Sequence, residues 1–164
     1  MDSGDSVESS SSGESGSMVS WIHWHCSQPG NEHLLEIPEE YIEDDFNLTG
    51  LSQQVKHYSH AMCTILDLED DDDDTALLNH KEIENWAIIL YSLIHARFIL
   101  TKGGLENYRE RYLVREFGIC PRDGCQETPL LPCGQKEEPG LLVKLYCPRC
   151  FDLYHPKSVF LYLI

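Results

Sequence analysis

A mainly α fold, a helical N-terminal body followed by a small antiparallel β zinc ribbon, is what this sequence predicts. Three observations carry that reading. Apolar residues recur at three- and four-residue steps between residues 41 and 112, the period of helices with one buried face. Four cysteines then fall late in the chain as two close pairs, Cys120 and Cys125 in CPRDGC and Cys147 and Cys150 in CPRC. Between and after those pairs the pattern changes to short, imperfectly alternating runs that suit strands. These signals divide the chain into a disordered serine-rich acidic tail (1–18), an all-α domain with an acidic loop at 67–74 (19–116), the ribbon (117–158) and a short C-terminal end (159–164).

The tail combines Ser, Gly and acid with few apolar side chains, and such a composition cannot offset the entropy lost on folding. Ser11, with Glu14 three residues later, has the setting an acid-directed kinase would modify; a merely solvated tail explains the composition equally well. Order is predicted to begin at Trp21, Ile22 and Trp24. From Pro38 to Gly50 the sequence reads as one helix. Pro38 lies near its first turn, Glu39 and Glu40 face the positive dipole end, and Tyr41, Ile42 and Phe46 form its apolar face. Val55, Tyr58, Met62, Ile65 and Leu66 give a second helix.

Seven carboxylates, Asp67, Glu69, Asp70, Asp71, Asp72, Asp73 and Asp74, then occupy eight positions. Their repulsion predicts an extended surface loop, either a solvated spacer or a docking site for polyamines, basic peptides or a basic face of a partner. The alternating ligands and glycine of an EF-hand are missing, which argues against a specific calcium site. Ile83 to Leu100 is the strongest helical segment and, being apolar on several sides, is expected to sit centrally. His95 and Arg97 interrupt it and are expected to be satisfied by nearby carboxylates rather than to be catalytic. Gly103 and Gly104 should break this helix before a short amphipathic one through Leu105, Tyr108 and Tyr112. In the ribbon, strands are predicted over 141–146 and 151–154.

The paired cysteines suit Zn²⁺, which accepts four thiolates in a closed tetrahedron. Pro121, Gly124 and Pro148 supply turn chemistry at both knuckles. With four sulfurs no position stays open for water, so such a zinc is structural, and a zinc hydrolase is disfavoured. A pair of disulfides is the alternative, but nothing in the sequence points to an oxidising compartment. The remaining thiols, Cys26, Cys63 and Cys133, read as small buried or half-buried residues, and the odd total of seven suits a reducing cytoplasm or nucleus. His23, His25 and Cys26 also cluster, but their aromatic setting favours packing over a second metal site. Pro121, Leu145 and Pro148 belong to an apolar surplus around the knuckles, which a protein contact such as self-association would absorb.

Charge narrows the function further. The chain carries a formal net charge of -16, and the first 80 residues hold 18 acidic side chains against the single base Lys56. That half would repel a phosphate backbone, which disfavours the rival reading of a zinc-ribbon nucleic-acid-binding or transcription module and favours a basic partner. The longest apolar stretch is broken by Ser92, His95 and Arg97, so no membrane span is expected.

Several segments resemble the casein kinase II regulatory (beta) subunit family. They are SWIHW at 20–24, PEEYIEDDFNLTGL at 38–51, HYSHAMCTILDLE at 57–69, LIHARFILTKGG at 93–104, FGICPRDGC at 117–125 and VKLYCPRCFDLYHPKS at 143–158. The resemblance implies a non-catalytic subunit that dimerises through its zinc ribbon, binds two catalytic alpha subunits and tunes substrate choice. It also implies zinc ligation by Cys120, Cys125, Cys147 and Cys150, and polyamine or regulatory contacts at 67–74. Independently, the glycine-rich phosphate loop and the HRD and DFG segments of a kinase are missing. Three departures stand out: His25 replaces the Phe of a WFC segment, Ser59 replaces the Arg of an RxxL pattern, and SVFLYLI stands where the family continues into a tail that contributes to alpha binding. The expectation is therefore a truncated C-terminus, with zinc-dependent dimerisation kept and binding of the catalytic subunit weakened.

Overall fold

The structure, a computed structural model, describes residues 19–69, 79–134 and 143–156. The expectations for Ser11, for Asp70, Asp71, Asp72, Asp73 and Asp74, and for the C-terminal end fall outside these residues. Among the described residues six helices precede a three-stranded sheet: α1 (Trp21–Cys26), α2 (Glu39–Ile42), α3 (Asp45–Leu48), α4 (Tyr58–Ile65), α5 (His80–Phe98), α6 (Lys102–Leu113), then β1 (Leu131–Cys133), β2 (Lys144–Tyr146) and β3 (Leu153–Tyr154). The mainly α body and the small antiparallel ribbon are those the periodicity predicts.

Helix α5 is the centre of the body. Ile83, Ala87, Leu90, Tyr91 and Ile94 recur at helical spacing and are buried, while Trp86, Ile88, Ile89 and Leu93 lie partly covered on its other sides. Ile42, Leu51, Ala61 and Ile65 close the core around it. Each fully buried Leu or Ile here contributes on the order of 2 kcal/mol. Two polar side chains of α5 hold the irregular segment after α1. The Tyr91 hydroxyl donates to Leu35 O at 2.6 Å and accepts from Ile37 N at 3.2 Å, and His95 Nε2 accepts from Leu35 N at 3.0 Å.

Several local expectations need correction. The helix expected from Pro38 to Gly50 is two separate turns, α2 and α3. Asp44 is the cause. Its backbone is extended and its side chain accepts from Phe46 N at 3.0 Å, so it caps a new turn instead of continuing the old one. Phe46, expected on the apolar face, is 84% exposed. The next helix starts only at Tyr58, because His57 takes a left-handed conformation, and Val55 is buried from the turn before it.

His95 and Arg97 are satisfied by backbone rather than by carboxylates. Arg97 donates to Asn47 O at 2.7 Å and to Thr49 O at 3.0 Å, carbonyls at the end of α3 that lack helical partners. Gly103 and Gly104 do not break the long helix either; they lie in the first turn of α6. The chain turns before them, at Thr101, whose hydroxyl accepts from Gly104 N at 3.1 Å, and α6 leaves at 91° to α5. Gly104 instead permits close approach, since a Cβ there would overlap Phe98 O.

The ribbon's strands run in the order β1-β2-β3, all antiparallel, with Leu131 opposite Tyr146 and Leu145 opposite Tyr154. β2 and β3 lie within the predicted strand segments. β1 was not foreseen: its sequence, LPC, carries a proline that argues against a strand, and it is tolerated at the sheet edge. Arg111 joins ribbon to body. Its guanidinium lies over Phe117 at 4.7 Å, pairs with Glu116 at 2.6 Å, and donates to the carbonyls of Glu32 and Leu34. Tyr108, three residues earlier on the same face, donates to His33 O.

Candidate metal centre

Each cysteine pair sits on a loop closed by its own backbone. In the first, Cys120 N donates to Thr128 O at 2.8 Å, Leu130 N donates to Gly118 O at 3.1 Å, and Cys125 N donates to Arg122 O at 3.1 Å. Gly124, at φ +82°, makes the turn between the two sulfurs. In the second, Cys147 N donates to Asp152 O at 3.0 Å and Phe151 N to Cys147 O at 2.9 Å. That second turn forces Phe151 itself to a left-handed φ of 61°, a conformation costing a bulky residue on the order of 1 kcal/mol or more. An ion pair at 2.9 Å between Arg122 and Asp152 ties one knuckle to the other.

The loops bring all four sulfurs, Cys120, Cys125, Cys147 and Cys150, within 4.8 Å of one another. Cys120 and Cys150 Sγ are 3.7 Å apart. A tetrahedral ion with bonds of about 2.3 Å requires S···S edges of about 3.8 Å, whereas a disulfide would draw two sulfurs to about 2.05 Å. None of the seven cysteines is joined in a disulfide, and the ribbon set has the spacing of a metal site. Cys147 has no exposed surface, and Cys120 and Cys125 are buried with Leu130, Leu145 and Phe117 in the ribbon's own small core.

The electrostatics of this cluster call for a cation. Burial pushes the Cys125 thiol up to about 12 and raises that of Cys147, while the Tyr154 hydroxyl beside Cys150 pulls its thiol down to about 6. Tyr154 stands 3.3 Å from Cys150 Sγ and 3.5 Å from Cys120 Sγ, and its own ionisation is suppressed by those contacts. A metal ion held by these residues would let the four sulfurs, three of them buried, ionise together.

The other predicted site residues divide. Leu145, expected at an interface, is 5% exposed and faces the ribbon core, while Pro121 and Pro148 are half-buried. Among the described residues of the ribbon, the large apolar side chains left open are Phe151, 74% exposed, and Leu153, 50% exposed. Asp67 is tied down at the head of the acidic run: its carboxylate accepts from Trp21 N at 2.9 Å and so caps the start of α1. Glu69 is exposed. The His23, His25 and Cys26 cluster is packing and hydrogen bonding, as its setting predicts. His25 stacks on Trp21 at 4.7 Å, Cys26 lies 3.4 Å from the Tyr91 hydroxyl, and His23 turns away to pair with Glu36. The roles of Tyr154, Arg111 and Tyr108 escaped the sequence reading, which placed Tyr108 only on an amphipathic helix and Tyr154 only in a strand; the available signal was the placement of Tyr154 four residues after Cys150 and of Arg111 three after Tyr108.

A helical body tied by a cation-π joint to a closed four-thiol ribbon is the build of a metal-stapled protein-binding module. The profile of the casein kinase II regulatory subunit family matches residues 20–161. A putative casein kinase II subunit beta-4 of Arabidopsis thaliana is 46% identical over 94% of this chain, and a casein kinase II subunit beta of Dictyostelium discoideum 49% identical over 85% of it. A casein kinase II subunit beta' of Drosophila melanogaster is also 49% identical over 85% of the chain. The chain belongs to the casein kinase II regulatory subunit family, whose members are non-catalytic. It spans 55%, 52% and 64% of the length of these three relatives.

Proposed function

We propose that this chain is a non-catalytic regulatory subunit of casein kinase II: it dimerises through a zinc-loaded ribbon and engages catalytic alpha subunits, modulating their activity and substrate choice. The convergence of four thiols on a ribbon, in a chain of this family, is the observation that carries the reading. Zinc is the metal favoured by an all-thiol tetrahedral set, and its role is structural. Phe151 and Leu153, beside the half-buried Pro121 and Pro148, offer the apolar surface for the second copy. The acidic first half supports a basic partner, polyamine or peptide, at 67–74, and disfavours nucleic acid. Ser11 is the proposed phosphorylation site, and seven cysteines without a disulfide suit the cytoplasm and nucleus.

Purified chain with its zinc content measured is to be sedimented with and without chelator, then mixed with a casein kinase II catalytic subunit. Zinc-bound dimers that retain the catalytic subunit and alter its rate on acidic substrates are the expected result. A zinc-bound chain that neither binds nor modulates any catalytic subunit refutes the proposal.

A further inference from the structure

Strand register places Tyr154 against the sulfur cluster. Directly opposite residues in an antiparallel pair share one face of the sheet, and successive residues along a strand alternate between faces. Tyr154 stands opposite Leu145, which is buried in the ribbon core, whereas Leu153 stands opposite Tyr146 and is 50% exposed. The left-handed turn at Phe151 starts that strand directly after the second knuckle, and the Tyr154 side chain packs on the ribbon core with Cys150. Its hydroxyl arrives 3.3 Å from Cys150 Sγ and 3.5 Å from Cys120 Sγ. Those two sulfurs belong to different knuckles and are themselves 3.7 Å apart. Cys150 is also the least covered of the four, half-buried where the other three are buried.

The geometry points to Tyr154 as a positioning residue of the metal centre: its hydroxyl, shared between one sulfur of each cysteine pair, holds Cys120 and Cys150 at the tetrahedral edge they form. The inference rests on the reading of the ribbon as a four-thiolate zinc site. In the loaded set no sulfur carries a proton, so the phenol O–H is the donor and the two thiolates are acceptors. Such a bond fixes sulfur orientation from outside the ligand set, the role that outer hydrogen bonds play at metal centres generally. It also draws electron density from Cys150, the more exposed thiolate, and lowers its reactivity toward electrophiles. The Arg122–Asp152 ion pair links the knuckles too, but through exposed side chains, where such a pair contributes little.

Tyr154→Phe removes only the oxygen and keeps the ring in the ribbon core. In the full chain loaded with Co²⁺, the variant should keep the ligand-field bands of a tetrahedral four-sulfur site while its sulfur-to-cobalt charge-transfer bands move to lower energy. Competition with a chelator should show zinc bound roughly 10- to 100-fold more weakly. Iodoacetamide should alkylate Cys150 of the zinc-loaded variant faster than that of the parent, read by peptide mass spectrometry. Unshifted charge-transfer bands, an affinity equal to the parent's or unchanged alkylation of Cys150 overturn the inference and leave the zinc site standing. So does a variant without tetrahedral bands, since loss of one hydroxyl leaves four sulfurs in place. A parent chain that holds no four-sulfur ion overturns the zinc reading, and this inference with it.

Discussion

Acid should loosen the helical body through His95, and the size of the effect can be worked from its surroundings. The ring is 6% exposed and accepts a hydrogen bond from Leu35 N at 3.0 Å, a role that requires an unprotonated Nε2. Around it stand the His33 ring at 6.4 Å, the Tyr108 ring at 6.2 Å and the Arg111 guanidinium. Burial first, then the charges of His33 and Arg111, lower its pKa from 6.5 to about 4. Well above pH 6.5 neither folded nor unfolded chain holds the proton, and no stability is lost. Below it the unfolded chain takes the proton while the folded chain refuses it, so stability falls until the folded pKa is passed. A difference of roughly 2.5 units corresponds to about 3 kcal/mol in all, and about 2 kcal/mol of it is lost between pH 7 and pH 5. Burial lowers His25 and His33 as well, in the same direction.

Urea unfolding of the body at pH 7, 6 and 5 and fixed ionic strength, followed by tryptophan fluorescence, measures that slope. His95→Gln keeps an acceptor for Leu35 N–H but cannot titrate, and acid-driven metal loss affects both proteins alike. The variant should lose less stability between pH 7 and pH 5 than the parent, by about 2 kcal/mol. Equal slopes in the two proteins would refute the assignment.

Chelation is expected to unfold the ribbon before the body, since metal binding supplies folding free energy on the order of 10 kcal/mol to sites of this kind; amide exchange should lose protection at 144–146 while α5 stays protected. Gly104→Ala should destabilise the body by about 1–3 kcal/mol, because its Cβ meets the Phe98 backbone carbonyl rather than a side chain that could move; a thermal midpoint unchanged from the parent contradicts this. Replacing Phe151 and Leu153 together by Ser should shift the chain to monomer in sedimentation without loss of zinc, and a dimer that persists places the interface elsewhere.

The strong periodic signals in the sequence were sufficient for α5 and for the four sulfurs. Ile83, Ala87, Leu90 and Ile94 leave a helix few alternatives, and each cysteine pair lies on a short turn-forming loop that sets its two sulfurs side by side. The weaker segments were decided by competition between side chain and backbone. Asp44 could continue a helix or cap one, and it caps. Arg97 could reach a carboxylate or a carbonyl, and the unpaired carbonyls of Asn47 and Thr49 are the ones within reach.

The sequence by itself determined the class of fold, the cysteine set and the family, because each rests on local spacing or on collinear motifs. Tertiary structure alone decided that Tyr91 and His95 hold the segment around Leu35, that Arg111 joins ribbon to body across more than 70 residues, and that Leu145 faces inward while Phe151 faces out. Those outcomes depend on which distant backbone groups are left unpaired once the helices close. A buried polar atom must be satisfied by whatever the fold brings near it.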